Sequence, residues 1–72
     1  MSTAIDEIVK IVQDGLEVGD AVLLADVLSF LRGGRISFTE SDINAAITRL
    51  QGLGIKVEHL GSPARTRFMK ST

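Results

Sequence analysis

The sequence predicts a small α+β fold, and three features near the middle of the chain predict it. A helix-start signal stands at residues 38–43, glycines follow at Gly52 and Gly54, and residues 55–60 alternate between apolar and polar side chains. A capped start and a glycine stop delimit a helix, and alternation with a period of two is typical of a half-buried strand. We therefore expect a helix over residues 40–51 and a strand directly after it.

The helix start is a capping box preceded by an apolar residue. The Thr39 hydroxyl can accept a hydrogen bond from the backbone N–H of Asp42, and the Asp42 carboxylate can accept one from the N–H of Thr39. Phe38 and Ile43 stand at the two positions of a hydrophobic staple, which fixes the direction of the entering chain. The capping box and the staple therefore predict the same helix N-terminus.

Two more helices are expected before this one. Apolar residues at helical spacing predict a first helix over residues 4–14, with Gly15 as its stop. A second helix should begin after Asp20, a good N-cap, and end near Arg32, where Gly33–Gly34 interrupts it. Its apolar residues cover far more than one stripe, which is typical of a helix that is buried or docked.

Short strands complete the pattern. Residues 35–38 are expected to be extended, and residues 65–70 can return antiparallel to residues 55–60 after a turn at residues 61–64. The side chains of the returning strand should alternate, with one set inward (Thr66, Phe68) and the other outward (Arg65, Arg67, Met69).

The expected order is helix, helix, short strand, helix, strand, turn and strand, which is the layout of a winged helix. Residues 55–69 would form its wing. A chain of 72 residues has room for one hydrophobic core, so we expect a single winged-helix domain over residues 1–72. A three-helix bundle with a C-terminal hairpin is an alternative that uses the same elements.

Composition and charge narrow the class of protein. The chain has no cysteine and therefore no disulfide or thiolate metal site. It has no apolar run near the roughly 18 residues that span a bilayer and no signal-peptide pattern, so we expect a cytoplasmic protein without a membrane span. Residues 1–31 carry one lysine and six carboxylates, whereas residues 32–72 carry seven basic residues and three carboxylates. Such asymmetry indicates a face for nucleic acid or an acidic partner, or simply a surface charged differently at its two ends.

Catalytic patterns are not found. His59 is the one histidine of the chain, and it falls in the expected strand in phase with Ile55 and Val57, so we interpret it as a partly buried structural residue. The glycine pairs lack the context of a phosphate-binding loop, and the acidic residues lack metal-ligand spacing. We therefore expect a protein that is not an enzyme, with no catalytic residues, metal, cofactor or small-molecule substrate.

The excess apolar surface of the second helix favours a protein–protein interaction module of a larger assembly. Leu23 and Phe30 project beside the main apolar face of that helix, and Met69 would join them from the wing. Large exposed apolar patches mark partner sites, so these residues are the expected anchors, with Arg65 and Arg67 as an orienting rim. The partner is another protein or a second copy of the chain.

The alternative function is that of a dimeric winged-helix DNA-binding protein or transcriptional regulator. Its third helix would be the recognition helix of a helix-turn-helix, with the wing on the phosphates. Glu40 and Asp42 at the start of that helix would repel phosphate, and the chain lacks a strongly basic footprint, so only weak binding is expected. The residues for this function lie on the third helix (Asn44, Arg49) and the wing (Arg65, Arg67, Lys70).

A family pattern is found in four segments of residues 20–58, namely Asp20–Leu28, Leu31–Gly34, Ile36–Ala46 and Leu50–Ile55. These segments resemble the winged-helix repeats of ESCRT-II vacuolar-protein-sorting subunits. Residues 38–43 are similar in character to the "LSPEDL" stretch of that family, although the chain lacks its tyrosine and its Asn-Arg pair. The resemblance implies a non-enzymatic scaffold of the endosomal-sorting type that binds proteins and not DNA.

Overall fold

The computed structural model describes residues 3–59 and 65–70. Within these residues the chain forms three helices and one antiparallel sheet of three short strands in the order β1-β3-β2. This is a mixed α+β fold with a winged-helix-like arrangement, as the sequence predicted. The elements are α1 (Thr3–Val18), β1 (Ala21–Leu23), α2 (Leu24–Gly33), α3 (Glu40–Gly52), β2 (Lys56–Glu58) and β3 (Arg67–Met69).

Helix α1 is longer than predicted, because Gly15 does not end it. The helix continues to Val18, and Leu16 is buried in the core. A Cβ atom placed on Gly15 would lie 2.6 Å from Cγ2 of Val22, which is closer than real Cβ atoms approach. Glycine therefore stands at this position to let β1 pack closely against the helix, and the prediction of a stop was wrong.

Residues 21–23 form a strand and not the first turn of α2. Val22 pairs with Phe68 of β3, and the backbone N–H of Leu24 donates to the carbonyl of Thr66 at 2.9 Å. A short aliphatic run fits either a helix or a strand, and pairing with β3 decides it here. The predicted start of α2 after Asp20 was therefore wrong, whereas its end at Gly33 is close to the predicted one.

The segment predicted as a strand, residues 35–38, is not one. The third strand of the sheet comes from residues 21–23 instead. After α2 the chain turns at Gly34 and Arg35 and runs directly to the N-cap of α3. The hydrogen bonds of that turn point back to α2, which leaves residues 35–38 outside the sheet.

Helix α3 confirms the prediction from its capping box. The N–H of Thr39 donates to Asp42 Oδ2 at 3.0 Å, and the N–H of Asp42 donates to Thr39 Oγ1 at 3.2 Å. Phe38 and Ile43 are both half-buried against the core. The guanidinium of Arg32 lies 5.7 Å from the centroid of the Phe38 ring, a cation–π distance.

The core lies between the three helices and the inner face of the sheet. Thr66 and Phe68 are buried as predicted, and Arg65 is exposed, whereas Arg67 and Met69 are half-buried. The predicted turn at residues 61–64 lies outside the described residues. None of the described helices is long and apolar enough to cross a membrane. The largest fully buried side chains come from every layer: Ile8, Val12, Leu24, Val27, Leu31, Leu50, Thr66 and Phe68.

Candidate functional site

Phe30 is a large aromatic side chain that the fold leaves on the surface. Helix α2 turns Leu24, Val27 and Leu31 into the core, where they are buried. Phe30 lies beside this stripe and is 71% exposed, although the chain has only three phenylalanines to fill its core. A large aromatic side chain left in water forgoes most of its possible burial energy.

Phe30 lies at the mouth of a cleft between α1 and α2. The main hollow has a volume of about 630 Å³, and a second hollow of about 410 Å³ adjoins it along α1. The two hollows share Glu7, Ile11 and Phe30, so we treat them as one α1–α2 cleft. Its other lining residues are Lys10, Asp14, Gly15, Asp26, Ser29, Gly33, Gly34 and Ile36.

The charges that line the α1–α2 cleft are mostly negative. Glu7 and Asp14 contribute from α1 and Asp26 from α2, and Lys10 is the basic residue among the lining side chains. Among the described residues the salt bridges lie elsewhere and involve none of these four charges. Within the described residues, no salt bridge therefore neutralises Glu7, Asp14 or Asp26, and the carboxylates of the cleft outnumber its one lysine.

The lower end of the cleft is formed by the C-terminus of α2. Arg35 adopts the left-handed backbone conformation with φ of 58°, which a residue other than glycine rarely adopts. Gly33 and Gly34 before it have negative φ, and a Cβ atom at Gly33 would meet nothing within 4 Å. Neither the backbone nor the packing requires glycine at residue 33, and its effect is to leave the cleft without a side chain there.

The three predicted anchor residues do not form one patch. Leu23 and Met69 both lie on the outer face of the sheet, because their neighbours Val22 and Phe68 are paired and face inward. Leu23 is 44% exposed and Met69 is half-buried. Phe30 lies in the α1–α2 cleft, so the structure brings Leu23 and Met69 together and separates Phe30 from them.

The predicted DNA-contacting residues are partly occupied by partners within the chain. Arg49 Nη1 lies 2.9 Å from Oδ1 of Asp6 on α1, and Arg67 Nη2 lies 2.8 Å from Oε1 of Glu58 on the neighbouring strand. Both ion pairs neutralise a cation that phosphate contacts would use. The remaining residues of that set, Asn44, Arg65 and Lys70, are exposed.

His59 is exposed and not partly buried as predicted. Its ring Nδ1 nevertheless lies 3.0 Å from the hydroxyl of Thr66, which is buried. The contact joins the residue that follows β2 to the residue that precedes β3. Within the described residues no group of three or more acidic or histidine side chains is placed to hold a metal ion.

The residues on the α1 side of the cleft were not among the site residues predicted from the sequence. Ile11 is the signal that could have found it, because it lies outside the stripe that carries Ile8 and Val12. Ile11 and Phe30 are both apolar residues beside the buried face of their helix. Two such residues on consecutive helices indicate a shared apolar groove.

Searches against protein-family models, curated proteins and solved structures find no match to this chain.

Proposed function

We propose that this protein is a non-catalytic protein–protein interaction module of a larger assembly and that it docks through the α1–α2 cleft. The observation that carries the proposal is the 71% exposure of Phe30 at the mouth of an open cleft that also contains Ile11 and Ile36. Buried aromatic anchors dominate the energy of protein interfaces, and they are surrounded by contacts that exclude water. Phe30 has the position of such an anchor.

The outer face of the sheet supplies a second, smaller contact. Leu23 and Met69 lie there together, and Arg67 stands opposite Leu23 in the strand register. A subunit of an assembly needs more than one surface, and two separate patches fit that requirement better than one. An assembly of the endosomal-sorting type, which the resemblance to ESCRT-II subunits suggests, stays a prediction.

Affinity capture with matched variants tests the proposal. The tagged wild-type protein, Phe30→Ala and Leu53→Ala are each incubated with extract of the source cells, and bound proteins are quantified by mass spectrometry. Leu53 is the control because it is 54% exposed but lies outside the α1–α2 cleft, in a hollow with Gln13 and Glu17. We expect a partner that wild type and Leu53→Ala retain equally and that Phe30→Ala loses. Equal retention by all three proteins would contradict the proposal.

DNA binding is the second candidate function, favoured by the exposed cations Arg65 and Lys70 at the two ends of the β3 segment. Among the described residues neither side chain has an ion pair. The ion pairs of Arg49 and Arg67 argue against it, because breaking them would reduce the gain from each phosphate contact.

Fluorescence anisotropy of a labelled random-sequence duplex at low and near-physiological salt tests the second candidate. If the protein is an interaction module, we expect little binding of the duplex at either salt concentration. Binding that weakens steeply with salt and is lost in Arg65→Glu/Lys70→Glu would establish phosphate contacts and favour the DNA function.

A further inference from the structure

We infer that the occupant of the α1–α2 cleft is a basic amphipathic helix of a partner protein. The inference rests on the proposed function and adds the chemistry of the partner. It follows from three properties of the cleft, namely the sign of its charges, its length along α1 and the absence of side chains at its lower end.

The charges of the cleft select a cationic partner. Glu7 on α1 and Asp26 on α2 line the same hollow as Phe30, so carboxylates stand on both helices that form the walls. Asp14 extends the acidic wall along α1, where Lys10 is the opposing charge. Complementary charge at the rim of an interface speeds association and rejects partners of the wrong sign. Lysine or arginine side chains flanking an apolar stripe would meet these carboxylates.

The shape of the cleft fits a helix. Glu7, Lys10, Ile11 and Asp14 have the spacing i, i+3, i+4 and i+7, so they form one face of α1. At 1.5 Å per residue this face is about 10 Å long, or two helical turns. An amphipathic helix laid in a groove presents its apolar anchors with the same spacing. Ile11 and Phe30 supply apolar contacts for such anchors.

Glycines at the end of α2 leave room for the partner helix to continue. Gly33 and Gly34 line the cleft without side chains, and at Gly33 a Cβ atom would project into open space. Helices whose contact positions are small can approach each other closely. Gly33→Leu would fill this part of the cleft and should weaken docking without loss of the fold.

A second copy of the chain fits the cleft less well. In a two-fold symmetric contact the same patch meets itself, so a lining with three carboxylates and one lysine would face an identical lining on the other copy. Like charges brought together at an interface oppose binding. Self-association through Phe30 is therefore an outcome that would overturn the inference.

Two matched peptide probes test the inference by fluorescence anisotropy. Each is a labelled helical peptide of about 14 residues with leucines at i, i+3, i+4, i+7 and i+11. One carries lysine and arginine beside the apolar stripe, and the other carries glutamate at the same positions. We expect the intact protein to bind the basic probe at least about tenfold more tightly than the acidic probe, with the difference shrinking as salt is added. Equal affinities would overturn the inference.

Variants locate the binding. Phe30→Ala should lower the affinity for the basic probe by about tenfold or more, because the variant lacks an interface anchor. Glu7→Gln/Asp26→Asn should reduce the preference for the basic over the acidic probe and its salt dependence. Leu53→Ala and Glu40→Gln, exposed changes outside the cleft, should leave both affinities within about twofold. A preference for the basic probe that survives Glu7→Gln/Asp26→Asn would place the charge recognition elsewhere and contradict the inference.

The inference and the proposed function can fail separately. If Phe30-dependent capture of a partner is observed but the probes bind equally, the function stands and the basic helix is wrong. If sedimentation shows a dimer that Phe30→Ala dissociates, the occupant is a second copy. If Phe30→Ala changes neither capture nor probe binding, both proposals fall. Circular dichroism and thermal unfolding of each variant show that a loss of binding is not a loss of fold.

Discussion

Helices α2 and α3 end with the same hydrogen-bonded turn but place different residues in it. At the end of α2 the N–H of Ile36 donates to the carbonyl of Leu31 at 2.9 Å, and at the end of α3 the N–H of Ile55 donates to that of Leu50 at 3.1 Å. Both are Schellman turns, which need one residue in the left-handed conformation. That residue is Gly54 after α3, with φ of 86°, and Arg35 after α2, with φ of 58°.

The two helices also begin differently. Thr39 and Asp42 close a complete capping box at the start of α3. At the start of α2 the N-cap is Leu23, whose side chain makes no capping bond, and Leu24 instead donates to the carbonyl of Thr66. Helix α3 is therefore stabilised by its own neighbours in sequence, whereas α2 is stabilised by the sheet and the core.

The local signals that fix α3 are absent from α2. Helix α2 has an uncapped start and a strained end, and it leaves Phe30 exposed beside a cleft. Its buried residues and the hydrogen bond from Leu24 to β3's preceding residue, Thr66, hold it in place. The outer side of α2 can therefore serve a partner, whereas α3 meets the local requirements of a helix at both ends.

The largest expected effect is common to both helices and lies in their buried faces. Leu31 and Leu50 are both fully buried, so Leu31→Ala and Leu50→Ala should each lower the free energy of unfolding by about 2–5 kcal/mol. Urea unfolding followed by circular dichroism measures both. A cost below about 1 kcal/mol for Leu31→Ala alone would show that α2 is not held by its core face.

The capping box should account for a smaller part of the stability of α3. Thr39→Ala removes the acceptor of the Asp42 N–H and should lower the free energy of unfolding by about 1 kcal/mol. Thr48→Ala on the exposed face of the same helix is the control, because it removes a bond to the Asn44 carbonyl without uncapping the helix. If both variants unfold at the same urea concentration, the cap contributes nothing measurable.

Substitutions at the two left-handed residues, Gly54 and Arg35, should change the free energy of unfolding in opposite directions. Gly54→Ala puts a Cβ atom into the left-handed conformation and should cost about 1 kcal/mol, whereas Arg35→Gly relieves that strain and should gain a similar or smaller amount. Thermal and urea unfolding of both variants show whether each change raises or lowers the free energy of unfolding. A loss of stability in Arg35→Gly would mean that its side chain stabilises the turn.

The smallest expected effect on stability is at Phe30. Because the side chain is 71% exposed, Phe30→Ala should change the free energy of unfolding by less than about 0.5 kcal/mol. Its neighbour Leu31 supplies the contrast in the same unfolding experiments. A cost comparable to that of Leu31→Ala would make Phe30 a core residue and remove it from the proposed interface.

The same contrast explains how much of the fold the sequence could predict. Helix α3 was predicted to within one residue because its signals are local: the Thr39–Asp42 box and the glycines that follow. The start of α2 and the end of α1 were not, because they depend on residues far along the chain. Val22 becomes a strand residue by pairing with Phe68, and Gly15 is needed only because Val22 packs on it.

One part of the candidate site could be predicted from the sequence and the other part could not. Phe30 was identified because it lies beside the apolar stripe of its helix. Its neighbours were not, because Glu7 and Ile11 reach the cleft only through the packing of α1 on α2, and the spacing of residues along the chain does not specify that packing. The grouping of Phe30 with Leu23 depended on one continuous helix, which the strand at residues 21–23 interrupts.

Site-specific photo-crosslinking in cells shows whether a partner docks at Phe30 in the α1–α2 cleft. A photoreactive phenylalanine analogue is placed at position 30 in one protein and at position 48, on the exposed face of α3, in another, and both are irradiated in the source cells. We expect a discrete adduct with a partner protein from position 30 and none from position 48. An adduct only from position 48, or none from position 30, would contradict docking through the α1–α2 cleft.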